Sequence, residues 1–276
     1  MNWVISNVVE RIQTHSKAQE LRLAEAVANN DLGTIKKLLQ QGVDPDVKIV
    51  GSASEPLIFL AFEKNWFTLP RSFSSDRPKE IYKITAKEEC LRLLLEYEAN
   101  PNVEDSLGRT VLAIAIIWCL PNIVKLLLNS GADPNLKDRD GITPLMKTAI
   151  LGIKDARPMN EKLEIALHLI DSGAELDTQA KDGKTALMYA TSNARTEMVE
   201  LLISSGASSS IKDFRGNQAS DLISNLSNLQ QRSYLKQILT QPQVNLVNYQ
   251  QLNSLEGDRL LSPILSAVNS RAMINE

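Results

Sequence analysis

Residues 131–145 read GADPNLKDRDGITPL, and this stretch decides the fold because the chain repeats it in phase. Residues 173–187 read GAELDTQAKDGKTAL, and residues 98–112 read EANPNVEDSLGRTVL. The glycine before the Thr-x-Leu step recurs at Gly108, Gly141, Gly183 and Gly216. The gaps between these glycines are 33, 42 and 33 residues. A recurring period in this range is typical of a repeat array, in which each unit contacts only its neighbours.

The composition indicates a chain that can bury a core but lacks a basic surface. Of its 276 residues, 43% are hydrophobic and 23% are charged, and the formal net charge is −3. Nucleic-acid binding needs a positive footprint, which this charge balance disfavours. Cys90 and Cys119 lie in apolar helical runs and are expected to be small buried side chains. Two cysteines are too few for a disulfide framework or a cysteine-based zinc site.

The N-terminus and the hydropathy pattern predict neither a signal peptide nor a membrane span. The opening segment, MNWVISNVVERIQTHSK, lacks a basic n-region and carries Glu10 inside its apolar stretch. No apolar run approaches the ~18 residues that a spanning helix needs. A soluble, reducing, cytosol-like setting fits these features best.

Each repeat has the same order of parts: a Gly-Ala-Asp-Pro-Asn-type turn, a polar stretch, a Thr-Pro-Leu step and two short helices. In repeat four, Thr143 is placed to cap the first helix and Pro144 to occupy its first turn. In repeat three, an apolar stripe predicts a second helix over Asn122–Asn129. Gly131 is expected to end this helix in the left-handed conformation.

The turn and the Thr-Pro-Leu step, in phase over several copies, resemble the ankyrin repeat family. The resemblance covers roughly residues 18–240 and is best over Gly108–Gly131, Gly141–Gly173 and Gly183–Gly206. It implies an all-α ankyrin-repeat solenoid of about six helix-turn-helix repeats. β-Hairpin fingers are expected between neighbouring repeats, and the two ends of the array are atypical caps.

Departures from the repeat predict the domain organisation. Residues 1–17 are expected to form a capping helix, residues 18–245 the array, and residues 246–276 a C-terminal half-repeat cap. Insertions between first and second helices are predicted at residues 65–86 of repeat two and 153–161 of repeat four. The second insertion explains the longer glycine gap. Both are expected to leave the array at the same edge.

Catalytic motifs are absent from the sequence: it has no phosphate loop, no H-E-x-x-H and no G-x-S-x-G. Of the two histidines, His15 lies in the leading segment, and His168 is expected to be a partly buried structural residue. Four recurrent carboxylates are expected to hydrogen-bond turn backbone at the fingers rather than form an acid–base pair. These are Asp105, Asp138, Asp182 and Asp213. No catalytic residue, metal ligand, cofactor or small-molecule substrate is therefore predicted.

The resemblance places partner-binding residues on the fingers and on the exposed face of the first helices, which line a concave groove in the family. At the finger tips the candidates are Arg139, Ile142, Lys181, Lys184, Phe214 and Arg215. Phe214 differs from the rest because a finger tip is normally polar. It is either an aromatic anchor for a partner or a side chain that packs on the imperfect sixth repeat.

The ends of the first helices supply a second set of candidates. Positions that are normally exposed there are apolar in repeats two to four and revert to Ser192-Asn193 in repeat five. Neighbouring repeats should bring them into one patch, which either binds a partner or is covered by the larger insertion. That insertion contributes its own aromatic candidates, Trp66 and Phe67. The patch itself consists of Phe62, Ile117, Trp118, Ile150 and Leu151.

These features predict a monomeric, non-catalytic adaptor or scaffold that binds a protein partner of unknown identity through the groove. A rigid groove lowers the ordering cost of association. The alternative is a targeting segment of a longer enzyme or secreted effector whose catalytic domain lies beyond residue 276. The expected location is cytoplasmic. Export by an intracellular bacterium into a host cytosol is the alternative, since eroded repeats and an Asn/Ile/Lys/Ser-leaning composition are compatible with such an effector.

Overall fold

The structure, a computed structural model, describes residues 18–49, 55–62, 87–150, 159–225 and 228–240. The chain divides into two compact units, with the boundary between Asp133 and Pro134. The predicted N-terminal capping helix, the whole of the 65–86 insertion and the C-terminal half-repeat lie outside the described residues, so these assignments stay predictions.

The first unit contains repeats one to three. Its helices are α1 (Ala18–Asn29), α2 (Leu32–Gln40), a 3-10 helix (Leu57–Ala61), α3 (Glu88–Glu96), α4 (Val111–Ile117) and α5 (Pro121–Asn129). A short antiparallel pair, β1 (Lys48–Ile49) with β2 (Glu55–Pro56), precedes the 3-10 helix. The next finger is reduced to an isolated bridge between Glu104 and Thr110. The first helix of repeat two is thus a single 3-10 helix.

The second unit contains repeats four to six. Its helices are α6 (Pro144–Ile150), α7 (Met159–Asp171), α8 (Ala186–Ser192), α9 (Thr196–Ser204), a second 3-10 helix (Asp221–Asn225) and α10 (Leu229–Thr240). Because α7 begins at Met159, the last three residues of the predicted 153–161 insertion are helical. Within the described residues of this unit the fingers are turns without a strand. The helical pairs confirm the predicted all-α fold class.

Threonine side chains start the first helices. The hydroxyl oxygens of Thr110, Thr143 and Thr185 each accept a hydrogen bond from the backbone N–H three residues on, at 3.1, 3.3 and 3.4 Å. Each bond satisfies one of the N–H groups that a helix start leaves unpaired. The predicted cap at Thr143 is confirmed, and Pro144 begins α6, where its missing N–H costs nothing.

Apolar side chains at helical spacing form the core of each unit. In the first unit α4 is buried along its whole length, from Val111 to Ile117. In the second unit, α10 buries Leu235, Ile238 and Leu239. This one-sided burial is the usual driving force for pairing an amphipathic helix with its neighbours.

One backbone hydrogen bond closes the turn between the first and second helices of a repeat. In repeat three it joins residues five positions apart, with Leu120 N–H donating to Ala115 O at 3.0 Å. Equivalent bonds occur in repeats one and five. In repeat two, Lys87 N–H donates to Ala61 O at 2.8 Å, so the same bond now encloses residues 62–86. The joint accommodates the predicted insertion while keeping the bond that links the helices.

Lys87 also ties repeat two to repeat one within the first unit. Its Nζ donates to Val27 O at 2.9 Å and to Ala28 O at 2.7 Å, both in the last turn of α1. Carbonyls at a helix C-terminus have no intrahelical donor, and a cation there interacts favourably with the helix dipole. The residue that follows the insertion therefore stabilises the preceding repeat as well as its own.

The second helix of each of the first five repeats is followed by a residue with positive φ. Glycine occupies this position in four of them, Gly42, Gly131, Gly173 and Gly206. The predicted left-handed end at Gly131 is confirmed, with a φ of 86°. In repeat two the position is occupied by Glu98, with a φ of 68°. A side chain there carries a conformational cost that glycine avoids.

Glu98→Gly is therefore expected to stabilise the first unit by about 1 kcal/mol. The left-handed conformation costs an L-residue roughly 1–2 kcal/mol, and the greater freedom of glycine in the unfolded chain offsets part of the gain. The urea midpoint, followed by far-UV circular dichroism, measures the change. The matched control is Glu96→Gly, which is helical and should destabilise by a similar amount. A midpoint that is unchanged or lowered by Glu98→Gly would contradict the assigned strain.

Candidate partner-binding site

The finger tips share one backbone turn. In repeat four, Asp138 N–H donates to Ile142 O at 3.1 Å, and Gly141 N–H donates to Asp138 O at 2.9 Å. The same two bonds recur over residues 105–109, 180–184 and 213–217. The glycine of each turn has a positive φ, for example 80° at Gly183. Side chains at equivalent positions of the four tips are therefore attached to the same backbone conformation.

Aspartate side chains support three of these turns from inside. Asp138 Oδ1 accepts the N–H groups of Asp140 and Ile142, both at 2.9 Å. Asp105 and Asp213 accept equivalent pairs. The predicted turn role of these carboxylates is confirmed. For Asp213, burial raises the pKa, but hydrogen bonds from Asn217 and Arg215 outweigh it and hold that pKa below its usual range.

The fourth predicted carboxylate, Asp182, does not occupy the equivalent position. That position is held by Ala180, three residues before the glycine, as Asp138 is three before Gly141. Asp182 still accepts a turn N–H, from Lys184 at 3.0 Å. The sequence-based grouping of Asp182 with the other three is corrected, because residue type alone does not locate a side chain relative to the glycine.

Asp182, Lys184 and Tyr189 form a small polar cluster beside the repeat-five finger. Tyr189 O–H donates to Asp182 Oδ1 at 2.9 Å. Lys184 Nζ lies 3.4 Å from Asp182 Oδ2 and 5.6 Å from the centre of the Tyr189 ring. Tyr189 was not among the residues predicted from the sequence. It follows Ala180 by nine positions, which is the spacing at which Lys147 follows its ion-pair partner Asp138.

The cluster suits positioning rather than proton transfer. Burial raises the pKa of Asp182, but the N–H of Lys184 and the O–H of Tyr189 outweigh it, so that pKa lies below its usual range. Burial, and then the hydrogen bond to Asp182, raise the pKa of Tyr189. At neutral pH the carboxylate is therefore ionised and the phenol protonated, and neither pKa is tuned for acid–base catalysis.

Neighbouring fingers of the second unit are joined by hydrogen bonds. Lys181 N–H donates to Asp140 O at 3.2 Å, and Phe214 N–H donates to Asp182 O at 3.3 Å. The amide Nε2 of Gln179 donates to Lys212 O at 2.9 Å. These bonds connect three successive tips, so side chains on them are held in place before any partner binds.

Most of the predicted finger candidates lie on the surface of the second unit. Arg139, Lys181, Phe214 and Arg215 are exposed, and Lys184 is partly exposed. Ile142 is the exception, at 8% exposed. Its side chain packs where the chain enters the start of α6, and its role in partner binding stays a prediction.

In the first unit, the helix-end candidates lie in the interior rather than in an open patch. Phe62, Ile117 and Trp118 are all buried, at 2, 6 and 4% exposed. The indole Nε1 of Trp118 has no hydrogen-bond acceptor among the described residues. Burial of these three side chains fits the predicted alternative that the patch is covered, and their role in partner binding stays a prediction.

Of the remaining candidates, one lies within the described residues and three lie outside them. Ile150, in the second unit, is partly exposed at the end of α6. Leu151, Trp66 and Phe67 lie outside the described residues, as does the segment predicted to cover the patch. Their role in binding stays a prediction.

Within the described ranges, the side chains show no catalytic or metal-binding arrangement. No group of three or more His, Cys, Asp and Glu residues there is placed to hold a metal ion. His168 is partly exposed, as expected, with its Nε2 3.7 Å from Glu164 Oε1. Burial raises the pKa of the Cys90 thiol to about 11, although the positive charge of Lys87 acts to lower it. A thiol with so high a pKa is a poor nucleophile. None of the described helices combines the length and hydrophobicity needed to cross a bilayer.

Comparison with known proteins agrees with the repeat seen in the structure. The family model for ankyrin repeats, three copies in length, matches residues 81–138 and 120–213. The human ankyrin repeat and SOCS box protein 6 (Homo sapiens) is 34% identical over 122 residues, which is 42% of this chain and 27% of that protein. The mouse NF-kappa-B inhibitor delta (Mus musculus) is 34% identical over 125 residues, 40% of this chain and 38% of that protein.

A third relative, the B-cell lymphoma 3 protein homolog of Mus musculus, is 29% identical over 147 residues, or 51% of this chain and 31% of that protein. The aligned parts thus span about a quarter to two-fifths of these curated relatives. The finger turn, the threonine cap and the left-handed glycine recur among the described repeats within the matched residues. Residues 81–213 of this chain therefore belong to the ankyrin repeat family.

Proposed function

We propose that this chain is a non-catalytic protein-recognition module whose second unit binds a partner through its finger tips and the adjoining first helices. Ankyrin repeats generally mediate protein–protein interactions. The observation that carries the proposal is the hydrogen-bonded row of three tips, from which Arg139, Lys181, Phe214 and Arg215 project into solvent. A surface already held in its final geometry binds without the cost of ordering loops.

The buried helix ends support the same assignment of the binding surface. Because Phe62, Ile117 and Trp118 are buried, partner contact is assigned to the tips rather than to a patch of the first unit. The polar Asp182–Lys184–Tyr189 cluster fixes the base of one finger. Such support allows the tip residues to keep one arrangement, as a preformed interface requires.

The proposal extends to the setting in which the module works. Both cysteines are buried, and they do not form a disulfide. Such cysteine usage favours a reducing, cytoplasmic compartment. A single chain suffices for the proposed surface, since all of its residues come from one unit. The activity and partners of a longer protein containing this segment would add to this function rather than replace it.

Affinity capture from cells of the source organism, quantified by mass spectrometry, tests the proposal. The finger variant Arg139→Ala/Lys181→Ala/Arg215→Ala removes three exposed tip cations. The matched control Lys36→Ala/Lys125→Ala/Lys236→Ala removes three exposed lysines from second helices. We expect the finger variant to lose at least tenfold in captured partner while the control retains it, because tip contacts define the interface. Equal capture by wild type and both variants would show that the fingers do not bind the partner.

A further inference from the structure

Phe214 is the most exposed large hydrophobic side chain recorded in the described part of the chain, at 73%. It lies on the tip of the repeat-six finger, two residues before Gly216. A Cβ built on Gly183 would lie 2.6 Å from the Phe214 ring carbon Cδ1. The ring therefore rests against the preceding finger at Gly183 and leaves most of its surface in water. Exposed aromatic side chains of this kind are common binding anchors.

The turn itself does not need an aromatic residue at this position. The equivalent residue is Ser106 in repeat three, Arg139 in repeat four and Lys181 in repeat five. Their turns have the same backbone hydrogen bonds as the turn of Phe214. In repeat five, the aliphatic stem of Lys181 lies beside Gly141 much as the Phe214 ring lies beside Gly183. Because a lysine occupies the equivalent position in repeat five, the fold does not require an exposed phenyl ring at Phe214.

Three exposed cations lie on the Phe214 finger and on the finger before it. Lys181, Lys212 and Arg215 are exposed, and no ion pair joins their side chains to the described residues. The neighbouring carboxylates are already engaged. Asp213 is buried and accepts backbone N–H groups, whereas Asp182 accepts from Tyr189 and Lys184. The surface around Phe214 thus has an apolar centre and three exposed cations, beside one exposed carboxylate, Asp182, that is already paired with Lys184. The whole chain, by contrast, has a net charge of −3.

We infer that the Phe214 surface, formed by Phe214, Lys181, Lys212 and Arg215, binds an acidic segment of a partner protein that carries one large apolar side chain among aspartates and glutamates. This inference rests on the proposed function and specifies its partner. The apolar side chain packs on the free face of the ring, and the carboxylates complement the three cations. A central anchor within a polar rim is the usual anatomy of a protein interface.

The same chemistry fits a protein segment better than nucleic acid or a membrane. Single-stranded nucleic acid is bound by several stacking aromatic residues along a continuous basic groove. Here a single ring, that of Phe214, lies on the tips of the second unit, and the neighbouring tips 138–142 and 180–184 contain no aromatic residue. Stable membrane association needs a larger apolar face than one phenyl ring. A short acidic segment with one anchor matches both the size and the charge of the surface.

Selection from a phage-displayed library of random 12-residue peptides against the full chain tests the inference. We expect the selected peptides to be enriched in Asp and Glu around one aromatic or large aliphatic residue. Phe214→Ser, which copies the residue found at Ser106, should weaken the resynthesised peptides at least tenfold. Leu229→Ser, which removes a similarly exposed apolar side chain from α10, should change binding less than twofold. Binding should also weaken as NaCl is raised, because the rim is exposed.

Several outcomes overturn the inference. One is a library that yields no acidic, apolar-anchored peptides, and another is equal binding by wild type and a folded Phe214→Ser variant. A third is Phe214-dependent binding of 70:30 phosphatidylcholine–phosphatidylserine vesicles or of a 30-nucleotide single-stranded RNA in preference to the peptides. Suppose that the peptides bind Phe214→Ser as well as wild type but no longer bind the Arg139/Lys181/Arg215 alanine variant. The inference about Phe214 would then be refuted, and the proposed binding through the finger tips would stand. The proposed function itself fails if the alanine variant captures as much partner from cells as the wild-type protein does.

Discussion

Gly183→Ala is expected to destabilise the second unit by about 3 kcal/mol or more, the largest effect among the finger glycines of that unit. A Cβ at this position would lie 2.5 Å from Phe214 N, a distance that forces backbone atoms apart. The left-handed φ of 80° adds a separate cost of roughly 1–2 kcal/mol for any L-residue. Overpacking of a tight contact typically costs a further 1–3 kcal/mol.

The other finger glycines provide a graded control for this substitution. Gly216 has a φ of 83° and nothing within 4 Å of a built Cβ, so Gly216→Ala should show the conformational cost alone. Gly141 is intermediate, with Lys181 N at 3.2 Å. The predicted order of destabilisation is Gly183→Ala, then Gly141→Ala, then Gly216→Ala, measured by urea denaturation. Equal effects at Gly183 and Gly216 would show that the close approach of Phe214 carries no energetic weight.

Gly183→Ala should also weaken binding at the Phe214 surface. Phe214 N–H donates to Asp182 O across the same contact, so pushing the fingers apart weakens that bond. The Phe214 ring would then lose its support on Gly183. A folded Gly183→Ala protein, examined well below its unfolding midpoint, should therefore bind acidic peptides more weakly as well as unfold more easily.

Asp105→Ala is expected to destabilise the first unit by about 3 kcal/mol. Asp105 has a fully buried side chain, and its Oδ2 lies 2.7 Å from Arg109 Nη2. Its Oδ1 accepts the N–H groups of Leu107 and Arg109 at 2.9 and 2.8 Å. Removing the carboxylate takes the acceptor away from these two backbone donors and breaks the ion pair of a largely buried guanidinium. Loss of one partner of a buried pair typically costs about 3–5 kcal/mol.

Asp105→Asn is the matched control because its amide oxygen can still accept the two backbone bonds. It should lose only part of the stability, reflecting the charge interaction with Arg109. Ala180 shows that the turn shape survives without the carboxylate, since Ala180 N–H still donates to Lys184 O at 3.0 Å. The alanine variant should thus fold and give a measurable urea midpoint. Identical midpoints for the alanine and wild-type proteins would contradict the structural weight assigned to this carboxylate.

The repeat, its helices and its turns could be predicted because they depend on local rules. Thr143 caps a helix through a bond to a residue three positions away, and Pro144 fits only where an N–H is not needed. Gly131 has a positive φ because a left-handed helix end favours a residue without a Cβ. Each signal involves residues within one turn, so spacing along the chain is sufficient to find it.

The site was predicted less completely, because exposure depends on packing between elements. Trp118 and Ile117 occupy positions that a generic repeat exposes, yet both are buried here. Ile142 lies at a finger by sequence but packs where the chain enters α6. Tyr189 was not predicted because its partner Asp182 lies one residue before the glycine of its turn. In the other three turns the aspartate lies three residues before the glycine.

The sequence by itself determined that this protein is a helical repeat array with glycine-containing fingers, since period, caps and turns are local properties of the chain. The tertiary structure alone decided which side chains reach water. It buried Phe62 and Trp118, bonded Lys87 to the last carbonyls of α1, and left Phe214 exposed on Gly183. Those outcomes depend on contacts between residues up to 60 positions apart, and no local spacing encodes them.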